Sequence, residues 1–202
     1  MEEKNYTGTV PGQHRGDSVT AEGNRSFEDI TAAKAFFLQA EAKVLDVNRW
    51  HDQAGEALAH FMLTDTDGNP VGGTARQGLL IKIDIPGPGS ESGEGYDWVE
   101  IEEIKKTDSA GVQSTALRVR PIAAPGSEAD EPTHFYDEQS TSTFTITREN
   151  TTVTVAVYDR NINPNTEADS LIDKVRNAIT GLFGEKVFSK IQWQSLVDGI
   201  LK

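Results

Sequence analysis

GLLIKIDIPGPGSESGEGYDWVEIEEI, residues 78–104, holds two strand-like arms around a loop of glycine, proline and acid. On the first arm Leu79, Ile81, Ile83 and Ile85 fall on one face, with Lys82 and Asp84 on the other. That alternation is the mark of a half-buried strand. On the second arm Tyr96 and Trp98 share a face, and Val99 and Ile101 share the opposite one. The connecting loop, 86–95, is not a phosphate loop. A P-loop or a dinucleotide fingerprint leads into a helix and uses a basic or bare backbone cradle, whereas here a strand follows and the loop carries Glu91 and Glu94. It is either a long β-connection whose glycines supply positive φ, or a lid over a cavity at the sheet mouth.

Strand patterning extends to both sides. Residues 57–64 alternate Phe61 and Leu63 against His60 and Met62, and Asp65-Thr-Asp-Gly-Asn-Pro70 then turns the chain. Asp65-x-Asp67-Gly68 begins like a calcium loop, but Arg76 stands where the twelfth-position Glu is required, so a turn is expected. Residues 112–120 place Leu117 and Val119 on one face, and 140–147 and 151–158 form a Thr- and Val-rich hairpin about Arg148-Glu149-Asn150. Residues 121–138 are a second long loop, rich in Pro and acid.

Helices bracket these six strands. Ser26-Phe27-Glu28-Asp29 has a capping pattern, and Ile30, Ala33, Phe37, Ala40, Val44 and Leu45 make one face of a helix over about 27–46. Thr166-x-x-Asp169 caps a second, with Leu171, Ile172, Val175, Ile179 and Leu182 as its stripe. Gly181 and Gly184 break it before a last helix carrying Val187, Phe188, Ile191, Leu196, Val197 and Ile200, with Trp193 on its flank. Residues 1–25 carry four glycines and Pro11 among polar residues and read as a flexible N-terminal arm. The expected architecture is α+β, with residues 26–202 as a single domain. A curved antiparallel sheet of about six strands has the N-terminal helix and the C-terminal helices on one face.

In this order of elements, over roughly residues 27–201, the chain resembles the helix-grip superfamily, START-like and polyketide-cyclase-like. The resemblance implies a bent sheet that grips a long C-terminal helix and leaves an apolar cavity between them. The family's first strand precedes its helix, where this chain has the glycine-rich arm.

Composition narrows the function. The 202 residues are 36% hydrophobic and 25% charged, with 32 acidic against 19 basic side chains and a formal charge of −13. That charge speaks against nucleic acid and anionic membranes as partners, since both are bound through clustered Lys and Arg. There is no cysteine, which excludes disulfides, thiolate metal sites and cysteine nucleophiles. The opening MEEKNYTGTV lacks a basic-then-apolar leader pattern, so the cytoplasm is the expected location. The four histidines, His14, His51, His60 and His134, show no metal-ligand spacing, and no metal or cofactor is expected.

The leading expectation is a non-catalytic binding module with an apolar pocket for a small hydrophobic or aromatic ligand. Phe61, Ile83, Trp98, Leu117 and Phe144, with Phe188 of the last helix, are the expected lining; Trp50 and Tyr96 are further aromatic candidates. The alternatives are an interaction domain that meets a protein partner or a second copy through loops 86–95 and 121–138, and a cyclase-, hydrolase- or isomerase-type enzyme. The enzyme would use a pocket carboxylate or His60, which lies mid-strand near apolar residues.

Overall fold

The computed structural model describes residues 3–55, 59–85, 95–109, 111–127, 132–163 and 185–202, with the side chains of 185–188 outside that description. The helix expected from Thr166, loop residues 86–94 and the Phe188 side chain therefore lie outside the described residues.

Seven strands form one antiparallel, curved, open sheet: β1 (Asp17–Ser26), β2 (His60–Thr64), β3 (Leu80–Asp84), β4 (Asp97–Ser109), β5 (Val112–Pro121), β6 (Thr141–Glu149) and β7 (Thr152–Ile162). Their spatial order is β1-β7-β6-β5-β4-β3-β2. The six expected strands are thus consecutive neighbours, and the seventh closes the far edge. Among the described residues the helices are α1 (Ile30–Leu45), a short 3-10 turn (Val47–Arg49), α2 (Trp50–Ala54) and α3 (Glu185–Ile200).

The N-terminal region departs from the expected arm. Residues 17–26 pair with β7 over the whole of β1, with Ala21 opposite Val157 and Gly23 opposite Val155. Ahead of β1, Thr9 and Val10 are buried, Val10 packing with Ala156 and Tyr158 on the outer face of the sheet. Asn161, at φ 57, anchors this segment: its Oδ1 accepts from His14 N–H at 2.8 Å and its Nδ2 donates to Gly12 O at 3.1 Å. The many glycines serve a segment laid along a sheet rather than free in solvent.

α1 is capped by Asp29, whose side chain accepts from Ala32 N–H at 2.8 Å, so the helix starts three residues later than Ser26 suggests. Its buried residues Ala33, Phe37, Ala40 and Val44 recur at four- and three-residue steps and face β6 and β7. α3 lies against α2, β1 and β7. Both helices contribute to one core cluster with the inward residues of the sheet, including Phe61, Leu63, Ile81, Val99, Ile101, Leu117, Phe144 and Val157. The Asp65 turn forms as expected: Asp65 Oδ1 accepts from Asp67 and Asn69 N–H, both at 2.9 Å, and Gly68 takes φ 83.

Candidate functional site

Register places a carboxylate on the inner face of the sheet. Along β7, Val153, Val155, Val157 and Asp159 share one side, and Asp159 stands opposite Ser142 of β6 and Val19 of β1. Ser142 Oγ donates to Asp159 Oδ1 at 2.7 Å, and Trp193 Nε1 of α3 donates to Oδ2 at 2.9 Å. Burial pushes the Asp159 carboxyl up to about 6, and those two bonds and the charge of Arg160 hold it from rising further.

Around Asp159 a chamber of about 40 Å³ opens between the sheet and α3. Phe61 of β2, Ile83 of β3, Ile85, Phe135 and Trp193 form its apolar walls, and His134, Tyr136, Ser189 and Gln192 add polar groups. Ser189, Gln192, Leu196 and Ile200 are buried at helical spacing, so α3 turns a partly polar face inward. Ile191, expected on that stripe, is instead exposed. Trp193 meets Phe144 edge-on at 5.0 Å and Phe61 at 6.1 Å between ring centroids.

The fourth wall is the segment 132–136. Thr133 N–H donates to Ile122 O at 2.8 Å, and Thr133 O accepts from Trp98 N–H at 2.9 Å, which ties the segment to the ends of β4 and β5. His134, fully interior, has its pKa depressed by burial to about 3 and is neutral at ordinary pH. Its Nδ1 accepts from Tyr136 N–H at 3.0 Å, leaving the ring proton on Nε2. Asp97, facing inward opposite Ile83, is pushed up to about 7 by burial, opposed by a hydrogen bond from the Phe135 backbone N–H.

The sequence candidates separate into three groups. Phe61 and Ile83 line the chamber. Trp50, Leu117 and Phe144 are close-packed in the core, Trp50 lying 4.4 Å from Phe144 and donating from Nε1 to Val44 O at 3.1 Å. The third group lies on the opposite face of the sheet. Trp98, opposite Lys82 in the register, sits beside Gly68 and Pro125 on the outer side. His60 and Tyr96 border an outer groove of about 690 Å³, open to solvent along the β2 edge. There His60 stacks on His51 at 4.8 Å and Lys82 Nζ lies 3.6 Å from the Tyr96 ring centroid. His60 thus faces away from the buried chamber, because it alternates with the inward Phe61.

Asp159, Ser142, Gln192, Trp193, His134 and Tyr136 line the chamber and were not singled out as lining by the sequence. Asp159 had a signal, since it extends the inward series of β7. His134 and Tyr136 had none, because their loop has no period.

No helix among the described residues is long and apolar enough to cross a membrane. No family model matches the chain, and no curated protein matches it by sequence. Among solved structures, a hypothetical protein from Helicobacter pylori is similar at 15% identity and a TM-score of 0.47, over 100% of this chain and 93% of its own. A norcoclaurine synthase point mutant from Thalictrum flavum is similar at 10% identity and a TM-score of 0.35, over 93% of this chain and 98% of its own. Ginseng major latex-like protein 151 from Panax ginseng is similar at 10% identity and a TM-score of 0.34, over 86% and 97%.

Proposed function

We propose that the chain is a helix-grip binding module that holds a small hydrophobic or aromatic ligand in the chamber between β2, β3, residues 134–136 and α3. The lining carries this reading. Apolar and aromatic walls with a few convergent polar groups are the make-up of a small-molecule site. The outer groove is larger, but it is open to solvent, and its lining includes the charged Lys82 and Asp84. The described part of loop 121–138 contributes His134, Phe135 and Tyr136 to the chamber lining, which favours the chamber over a loop-mediated protein partner.

Size constrains the mode of binding. A space of about 40 Å³ takes a few water molecules, whereas an apolar cavity that accepts benzene measures roughly 150 Å³. A ring-sized ligand therefore enters by moving Trp193 or Phe135 aside. Native mass spectrometry of the gently purified protein tests the reading through a co-purified small molecule. Ala59→Val, which fills the chamber from its wall, is expected to remove that adduct. An adduct that survives Ala59→Val would locate the ligand elsewhere.

The second reading, an acid–base enzyme, is favoured by one observation. A carboxyl titrating near 6 and a neutral histidine line the same chamber, and a catalytic acid or base works best with a pKa near the operating pH. Incubating the recovered ligand with the protein and following its NMR spectrum separates the two readings. Chemical change that Asp159→Asn stops would make the protein an enzyme; an unchanged ligand leaves it a binder.

A further inference from the structure

Gln192 lies on the inward face of α3, lines the chamber and is 2% exposed. Its Oε1 accepts the Ala59 backbone N–H at 2.9 Å. Because a backbone N–H can only donate, that bond fixes the orientation of the amide and leaves Nε2 as the free end. Among the described residues nothing accepts from Nε2. The other polar groups of the chamber have partners of their own: Asp159 accepts from Ser142 and Trp193, His134 Nδ1 accepts from Tyr136 N–H, and the Tyr136 and Ser189 hydroxyls meet at 3.3 Å. Buried donors are nearly always paired, so one left over on a cavity wall marks where an acceptor in the chamber, a water or the ligand atom that displaces it, completes the bond.

The partner for Nε2 has to be an acceptor. The carboxylate of Asp159, which lines the same chamber from the sheet, in a chain of formal charge −13, opposes an anionic one. The surrounding rings favour a flat apolar body. We propose that the chamber takes a small neutral aromatic molecule bearing a carbonyl-type oxygen, which accepts from Gln192 Nε2 while its ring lies among Phe61, Phe135 and Trp193. This rests on the chamber being the ligand site and adds the chemistry of the ligand.

The test is an NMR titration of the ¹⁵N-labelled full chain with three probes of one shape: acetophenone, isopropylbenzene without the oxygen, and benzoate with a charge. In the wild type, acetophenone is expected to shift the Gln192 side-chain amide signals downfield and isopropylbenzene is not. Benzoate at pH 8 is expected to bind about tenfold more weakly than acetophenone. Gln192→Met is expected to shift the acetophenone-to-isopropylbenzene affinity ratio about tenfold toward isopropylbenzene. The ratio is internal to each protein, so a general loss of stability does not imitate the effect, and the wild-type amide shift stands even if that variant fails to fold. An unchanged ratio, an unmoved Gln192 amide signal or tighter binding of benzoate would overturn the proposal. Failure of all three probes to bind the wild type would overturn the chamber as a ligand site altogether.

Discussion

Trp193 Nε1 donates to Asp159 Oδ2 at 2.9 Å, joining the closing helix to the inner face of the sheet at the wall of the chamber. The bond stabilises the ionised carboxylate, and it works against the burial that raises the pKa. Ser142→Ala removes the companion bond to Oδ1 with little loss of volume, and Trp193→Phe removes the indole donor. Each is expected to raise the Asp159 pKa above its wild-type value of about 6. Carboxyl ¹³C titration of Asp159 measures this directly. A pKa that stays put in both variants would mean that burial alone sets it.

Asp97 and His134 give opposite pH dependences from neighbouring places. Asp97 holds its proton to about pH 7 when folded, against an ordinary value of 3.8. The folded state therefore binds more protons, and the stability from Asp97 is full below pH 4 and lost as the pH rises toward 7. His134 titrates at about 3 when folded against 6.5 ordinarily. The unfolded state therefore binds more protons, and this contribution is full above pH 6.5 and lost as the pH falls toward 3. Between pH 4 and 6.5 the two oppose each other. Asp159, whose pKa is likewise raised to about 6, sides with Asp97 below pH 6. Asp97→Asn is therefore expected to leave a protein whose stability is nearly level across that window, and His134→Gln one whose stability falls more steeply than the wild type's. Urea unfolding at half-unit steps reads the slopes, to which each titrating group contributes at most about 1.4 kcal/mol per pH unit. Parallel profiles for the two variants and the wild type would contradict the assignment.

The six strands β2–β7 were legible because each places large apolar residues on alternate positions, as Ile81 and Ile83 or Phe144 and Ile146 do. β1 was not, because its inward residues are Val19, Ala21 and Gly23. At Gly23 the room for a side chain is taken by Val197 and Leu201 of the closing helix and its end, so the contact that holds the strand needs a residue without one. The chamber was half legible. Phe61 and Ile83 follow from alternation, and Asp159 could have been found by extending Val153, Val155 and Val157 by one more step. Trp98 was expected inward, but the neighbouring Asp97 takes that face and is itself buried. An acid on the buried side and a tryptophan on the outer one invert the polarity rule, and only the pairing register settles such a case.

Val10 distinguishes a laid-down segment from a free arm. It is 4% exposed against Ala156 and Tyr158, and Lys4 pairs with Glu149 at 2.7 Å nearby. Val10→Ala is expected to destabilise the protein by about 2 kcal/mol, which for a chain of this size lowers Tm by about 4–8 °C. Lys4→Ala, at a partly exposed ion pair, is expected to cost under about 1 kcal/mol. Calorimetry gives both. A Val10→Ala protein that melts with the wild type would return residues 3–16 to the status of an arm.

Gly199 sets how closely α3 approaches α2. A Cβ there would lie 1.9 Å from the Gln53 carbonyl oxygen and 2.6 Å from its carbon, both backbone atoms that no rotamer change can move. Alanine favours a helix interior over glycine by about 1 kcal/mol, so propensity alone predicts that Gly199→Ala stabilises. The clash predicts the reverse, a net loss of about 1–3 kcal/mol as α3 is pushed away from α2. Because α3 also carries Ser189, Gln192 and Trp193, the shift reaches the chamber, and ligand affinity is expected to fall together with Tm. Gly72→Ala is the matching control, since nothing lies within 4 Å of its Cβ position. Calorimetry and ligand titration on the two variants decide the matter: a Gly199→Ala protein as stable as wild type, with ligand affinity intact, would show that the helix contact does not position the site.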